Sequence, residues 1–299
     1  MDYMKRSNSN TSISKHNPSA ERILSYFDER REVFQGALKT AKSYFSIEGI
    51  HDLRLEIKRF RVLVKLIDCA APSFASKPNL TIFKELFGTA GALRDIDICQ
   101  AIVLPRLKTN DLSEYFNYLK QQELQHRIAF SDLASKSVLT AISRSRRQIV
   151  SELAVVSEEN QQKRIRNKIL KFVPKLNSLM DKKEPGNSDL HKVRKLAKSL
   201  RYSLDIWQEC YGTTGSGNDA TNQLKKTYRS LGDWHDFLLA HKSVDSFLSR
   251  EAQDGMAEST AYTAFQKDLR QQAERFLSAY ERDKRTLRKS LKRLVSDFS

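Results

Sequence analysis

The stretch IHDLRLEIKRFRVLVKLI, Ile50 to Ile67, carries His51, Arg54, Lys58, Arg61 and Lys65 at successive spacings of three, four, three and four. Those intervals return to one side of an α-helix, where apolar residues ordinarily recur to meet a core. At about 100° per residue the five positions share a sector roughly 80° wide. Leu53, Ile57, Phe60, Leu63, Val64 and Ile67 fill the sector beside it. The segment reads as a helix with two stripes, an apolar one for packing and a cationic one that borders the core.

The same double stripe recurs. LHKVRKLAKSLRYSLDI, Leu190 to Ile206, sets His191, Arg194, Lys198 and Arg201 on His51, Arg54, Lys58 and Arg61 at a constant offset of 140. GALRDI, Gly91 to Ile96, falls on GDWHDF, Gly232 to Phe237, at an offset of 141; Gly91 meets Gly232, Asp95 meets Asp236, and Lys84 meets Lys225. LTAISRSRR, Leu139 to Arg147, falls on LSAYERDKR, Leu277 to Arg285, at an offset of 138, which aligns Arg144 and Arg147 with Arg282 and Arg285. The last column continues through Lys289 and Lys292, where the first copy has Ser151 and Ala154. Three elements repeated in one order predict a duplicated all-α chain. It is expected to form two homologous four-helix bundles, about 21–180 and 185–299, joined at DKKEPGNSD (Asp181 to Asp189). Approximate twofold packing would turn equivalent faces toward a common central space, a basic pore.

The rest of the chain agrees with an all-helical fold. Only 10 Gly and 6 Pro punctuate 299 residues, and the clear breaks are APSFASKPN (Ala71 to Asn79), DKKEPGNSD and YGTTGSGND (Tyr211 to Asp219). About eight long helices are expected between them. Residues 1–20 are polar, rich in Ser and Asn, and read as a disordered segment. Cys69, Cys99 and Cys210 are far apart, with neither metal-ligand spacing nor a disulfide framework, which fits a reducing cytoplasm. No apolar region follows Lys5 and Arg6 as in a signal peptide, and no run of 18 apolar residues offers a membrane span.

Charge points to the partner. Lys and Arg total 52 against 36 Asp and Glu, a net +16 with a pI near 9.7. Like charges three and four residues apart each cost an isolated helix roughly 0.2–0.5 kcal/mol. A single basic column is ordinarily a solvated face or one neutralised by neighbouring acids. Here three helices carry the same column at equivalent places, and the carboxylates are too few to balance them. Converging columns fit a linear polyanion, above all a phosphate polymer, which Arg can grip with two N–H groups and Lys as a point charge. His51 and His191 open their helices, where each can donate to phosphate and gain charge as pH falls toward about 6.5. Asp95 and Asp236 are expected to orient the cations around them.

Catalysis has weaker support. Asp95 and Asp97 could hold a metal as D-x-D in a polyphosphate or nucleotide phosphohydrolase, yet Leu238 stands at the counterpart of Asp97. Gly91 and Gly232 lie outside any phosphate-cradling G-x-x-x-x-G-K-[ST] and are read as allowing close helix packing. No metal and no cofactor is called for. Few aromatics interleave with the columns, which argues against base stacking and leaves nucleic acid as a non-specific backbone ligand. A protein scaffold with an incidental basic surface is the remaining alternative, its partners unspecified.

Together IHDLRLEIKRFR with GALRDIDIC, and LHKVRKLAKSLRY with LGDWHDF, resemble the conserved histidine α-helical domain, CHAD, from about residue 21 to 299. The resemblance implies an all-helical fold of two four-helix bundles around a basic central pore, and non-catalytic binding of inorganic polyphosphate in the cytoplasm, with polyphosphate granules as a candidate location. Some members are fused to triphosphate-tunnel phosphohydrolase domains; no such domain is expected here. Carried over by position, the resemblance marks His51, Arg54, Lys58 and Arg61, then His191, Arg194, Lys198, Arg201 and Tyr202. Departures are Val62 at the counterpart of Tyr202 and His235 at that of Arg94.

Overall fold

Asn17 begins the ordered account: its side-chain oxygen accepts from the Ala20 amide at 3.1 Å, and Pro18 supplies a pre-set first helical residue. The computed structural model describes residues 17–74, 76–108, 111–133, 136–212, 215–253 and 260–298. The expected disordered segment, up to residue 16, lies outside them. From Pro18 the chain is already helical.

Ten α-helices follow among the described residues: α1 (Pro18–Tyr44), α2 (Ile47–Ala70), α3 (Ser76–Val103), α4 (Ser113–Leu133), α5 (Lys136–Ala154), α6 (Glu158–Leu170), α7 (Phe172–Met180), α8 (Asn187–Tyr211), α9 (Gly217–Gln253) and α10 (Thr260–Phe298). A 3-10 turn (Leu104–Arg106) extends α3, and no strand occurs in the described chain. None of these helices is long and apolar enough to cross a membrane. The fold is all-α, as predicted, with ten helices among the described residues where about eight were expected, one of the extra breaks falling inside a single segment. Pro174, in the first turn of α7, cannot donate to the Leu170 carbonyl four residues back, so α6 and α7 meet at Lys171 instead of running on.

Element order moves the boundary between the two halves. α1 precedes α2 as α6 and α7 precede α8, so the repeat pairs α1–α5 with α6–α10. Within the sets, α1 packs on α2 and α5, and α7 packs on α8 and α10. Across the sets, α2 meets α8, α3 meets α9, α1 meets α8 and α2 meets α6. Exchanging the sets maps these partners onto one another, the pairing that an approximate twofold requires. The connection is therefore residues 155–157, and the expected joint at 181–189 is an internal turn between α7 and α8. Sequence matching missed this because α1 and α6–α7 share no column of charge.

Apolar stripes lie where periodicity put them. On α2, Leu53, Ile57, Phe60, Leu63, Val64 and Ile67 are all buried, as are Val193, Ala197, Leu200 and Leu204 on α8. Phe60 stacks on Phe83 of α3 with centroids 5.6 Å apart, while Phe27 and Phe34 of α1 meet it edge-on at 5.4 and 5.7 Å. Each such ring contributes roughly 1.5–3 kcal/mol by burial. A second core joins the far ends of the long hairpins, with Ile96, Cys99 and Val103 of α3 and Tyr115 and Leu119 of α4 against Val244 and Phe247 of α9 and Phe265 and Leu269 of α10. These cores hold α2, α3, α8 and α9 together around the charged seam between them.

Candidate anion-binding site

Arg54 and Lys58 from α2 and Arg194 and Lys198 from α8 converge where the two helices meet, joined by Arg94 of α3. All five are half-buried. Among the described residues, no ion pair within 4 Å includes any of them, and the Nε of Arg194 is buried without a hydrogen-bond partner. Elsewhere the same residue types are paired, as Arg146 is with Asp28 at 2.6 Å and Arg106 with Asp268 at 2.7 Å. Burial, reinforced by Lys198, Arg54, Arg194 and Arg94, pushes the Lys58 amine down to about 7. Burial and Arg194 push Lys198 down to about 8. The free protein thus keeps a desolvated, mutually repelling cluster of cations.

Two carboxylates partly offset it. Asp95 of α3 interacts with Arg54, and Asp236 of α9 with Arg194, at longer range than an ion pair. Burial raises the Asp95 carboxyl above its usual range against the pull of Arg54 and His235. Both acids act on the cations through space without accepting a hydrogen bond from them among the described residues, and they are outnumbered by the charges they face.

The seam has aromatic floors that the sequence reading missed. Phe87 of α3 lies under Arg54 at 4.2 Å and under Lys58 and Arg61 at 5.5 Å. Tyr228 of α9 lies under Lys198 at 5.3 Å and Arg201 at 5.6 Å, and its hydroxyl accepts from Arg201 Nη1 at 3.1 Å. Phe87 and Tyr228 are themselves 141 residues apart, the offset that aligned Gly91 with Gly232. Cation–π contact lets a guanidinium remain desolvated without a carboxylate partner. Gly91 makes room for it. A methyl there would stand 2.6 Å from Arg54 Nη1, whereas one on Gly232 would make only ordinary contact, 3.9 Å from Arg194 Nε. Gly91 thus serves the crossing arginine, a more specific role than close helix packing, and Gly232 does not.

The CHAD-domain family model matches residues 25–245, well over half of the 299-residue chain, and the matched span contains every residue of the central cluster. The chain belongs to the CHAD-domain family. It also matches the crystal structure of the CHAD domain from the plant Ricinus communis with a TM-score of 0.70 at 19% identity, covering 96% of each chain, which shows a shared fold. No curated protein matches the chain.

Within this CHAD domain the predicted site residues separate into groups. His191 stacks on His235 at 5.2 Å, and burial with Lys195 and His235 pushes it down to about 4, so it remains neutral where a gain of charge near pH 6.5 was expected. His51 is exposed beside Asp52 at 3.2 Å, so the two histidines are not equivalent. Arg61 borders the cluster on Phe87, while Lys65, exposed, lies further along α2. Arg201 is bound to Asp205 at 3.2 Å. Tyr202 is buried toward Arg59 and Tyr228 and acts as packing beneath Arg201, not as a surface of the seam. Lys84 and Lys225 are exposed on α3 and α9, one turn or less before the aromatic floors.

Two further columns are more exposed. Arg282, Arg285, Lys289 and Lys292 are exposed on α10, which packs on α9, α6 and α7, and none of them is among the charges that act most on Lys58 and Lys198. Arg144 and Arg147 are likewise exposed, on α5. Periodicity reported the face of each helix correctly but not which faces meet. Asp95 and Asp97 also part company. Asp97 is buried toward Arg94, Glu123 and Arg127, and burial raises it to about 6, whereas Asp95 faces Arg54 and His235. Among the described residues no group of three or more His, Cys, Asp or Glu is placed to hold a metal ion.

Proposed function

We propose that this CHAD domain binds inorganic polyphosphate without catalysis, holding the chain between the cation columns of α2 and α8. The observation that carries it is the set Arg54, Lys58, Arg94, Arg194 and Lys198, half-buried at the meeting of four helices with no ion-pair partner within 4 Å among the described residues. A fold pays for such a cluster only if something anionic neutralises it in use. A linear phosphate polymer presents closely spaced oxygens along a flexible line, and Arg forks with Lys point charges suit it. The rings at the seam, Phe87 and Tyr228, already carry cations across them, which argues against base stacking. This favours phosphate over nucleobase recognition.

Titration of long-chain polyphosphate against single-stranded and duplex oligonucleotides of matched charge tests the proposal. Polyphosphate should bind at least about tenfold more tightly, a difference of roughly 1.4 kcal/mol. Its log affinity should fall with log salt at a slope of about −3 to −4 for four or five neutralised phosphates. Equal or tighter oligonucleotide binding would overturn it. Sustained phosphate release with Mg²⁺, abolished by Asp95→Asn, would favour the hydrolase instead.

The glycines give a second, sharper check. Gly91→Ala should displace Arg54 from its 2.9 Å bond to the Phe87 carbonyl and weaken polyphosphate binding about tenfold. Gly232→Ala should change affinity less than about twofold, because its methyl makes ordinary contact. Alanine favours helix over glycine by up to about 1 kcal/mol. Thermal stability of Gly91→Ala should therefore hold or rise while binding falls, separating displacement of Arg54 from damage to the fold.

A further inference from the structure

The two columns end differently, and the difference gives the site a direction. On α2, Arg61 is followed one turn later by Lys65, and α6 packs alongside, with Lys168 and Lys171 near the Cys69 thiol. Arg164 adds a guanidinium against the last turn of α2, donating to the Ala70 carbonyl at 3.1 Å. Asp68 is the acid of this seam. No ion pair within 4 Å among the described residues includes Lys65, Lys168 or Lys171.

The equivalent end of α8 is occupied by its own acids. Asp205 stands where α2 has Lys65, and it binds Arg201. Glu209, one turn on, stands at the counterpart of Cys69, next to Cys210. Arg22 of α1 takes the place beside Cys210 that Lys168 takes beside Cys69, but Glu158 holds it at 2.6 Å. Lys225, on α9, is spent partly on Asp205.

We propose that a linear polyanion longer than the central cluster leaves it over the α2–α6 seam alone, with Lys65, Lys168 and Lys171 as the exit contacts, so that the domain distinguishes long chains from short ones. This rests on the polyphosphate binding proposed above. Lys65 lies seven residues beyond Lys58, about 10 Å along the helix, which is about one screening length at 0.1 M salt. A short anion confined to the cluster therefore gains little from the seam, whereas a long one touches it directly. At the opposite end the cations are already paired, Arg201 with Asp205 and Arg22 with Glu158, and attract the chain less.

The test uses the full-length protein with tripolyphosphate and long-chain polyphosphate as probes, comparing wild type with Lys168→Glu/Lys171→Glu. Long-chain affinity should fall at least about tenfold while tripolyphosphate affinity stays within about twofold. Lys39→Glu/Lys120→Glu, on exposed faces of α1 and α4, makes the same change in net charge away from the seam and should alter long-chain binding less than about threefold. Equal weakening of both probes, weakening of neither, or an equal loss in the distant pair would overturn the directional track while leaving the central cluster as the binding site. Wild-type protein that binds neither probe would overturn both proposals. Should the reversed variant lose its helical circular dichroism, Lys168→Gln/Lys171→Gln provides the same comparison with half the charge change and the same expected selectivity for long chains.

Discussion

Arg54→Glu combined with Arg194→Glu is expected to abolish measurable polyphosphate binding while the helical fold persists. Each arginine contributes a charge-assisted contact of about 1.5–3 kcal/mol, and each reversed charge adds repulsion. Together they should weaken binding by at least about 10²-fold, and more where repulsion is felt fully. The salt slope should become shallower by at least about 1.5, since two cations no longer displace counterions. The fold should survive because the cluster is over-supplied with cations: Lys58, Lys198 and Arg94 remain, and a glutamate at either position meets them as a partner. Far-UV circular dichroism and a melting curve check this directly. Arg54→Gln/Arg194→Gln should retain more binding than the reversed pair, and an unchanged affinity in both would remove the α2–α8 seam from the binding account.

Lys58→Met with Lys198→Met should produce the opposite pair of effects, a more stable free protein that binds more weakly. Burial holds Lys58 near 7 and Lys198 near 8, against about 10.4 in an unfolded chain. Between those values the unfolded chain binds more protons, so stability rises with pH from about 7 to about 10. Below pH 7 both states are protonated and the full destabilisation is present. Replacing the lysines by methionine removes that charge and fills the same space, for a gain on the order of 1–2 kcal/mol at neutral pH. The melting temperature should rise by at least about 2–4 °C at pH 7, and the gain should shrink as pH approaches 10. A bound polyanion should return the lysine pKa values toward normal. Binding at pH 8 should then take up protons, visible in calorimetry as a heat that depends on the buffer, and affinity should decline from pH 7 to pH 9. A melting temperature lowered by the double methionine variant would show that the lysines are structural.

Much of this seam was legible in the amino-acid sequence because duplication wrote it twice. Arg54 with Arg194 and Lys58 with Lys198 stand at one offset, and physical proximity of the two helices followed from symmetry. The same offset contained Phe87 and Tyr228, but an aromatic on a helix reads as core until a cation is known to lie across it. Arg94 and His235 also occupy equivalent positions, yet differ in type, so only the structure reveals that both touch the cluster. The α10 column is a different case. Its spacing is as regular as that on α2, but α10 spends its apolar stripe on α9, α6 and α7, and nothing local to a helix says which neighbour its charged edge will meet. The half boundary moved because charge alignment begins at α2 and α8, leaving the helix before each one unassigned.

Only Val155 to Ser157 separate the two helical sets along the chain. In terms of avidity, each set brings half of the proposed grip, and a polymer held by α2 meets α8 as an intramolecular partner. Short flexible tethers give effective concentrations in the millimolar range, and sets already packed through two cores need no search at all. Joining two half-grips in this way can raise overall affinity by about 10²- to 10⁴-fold without any new contact. On the proposed function, two weaker half-sites tied by three residues add up to one clamp.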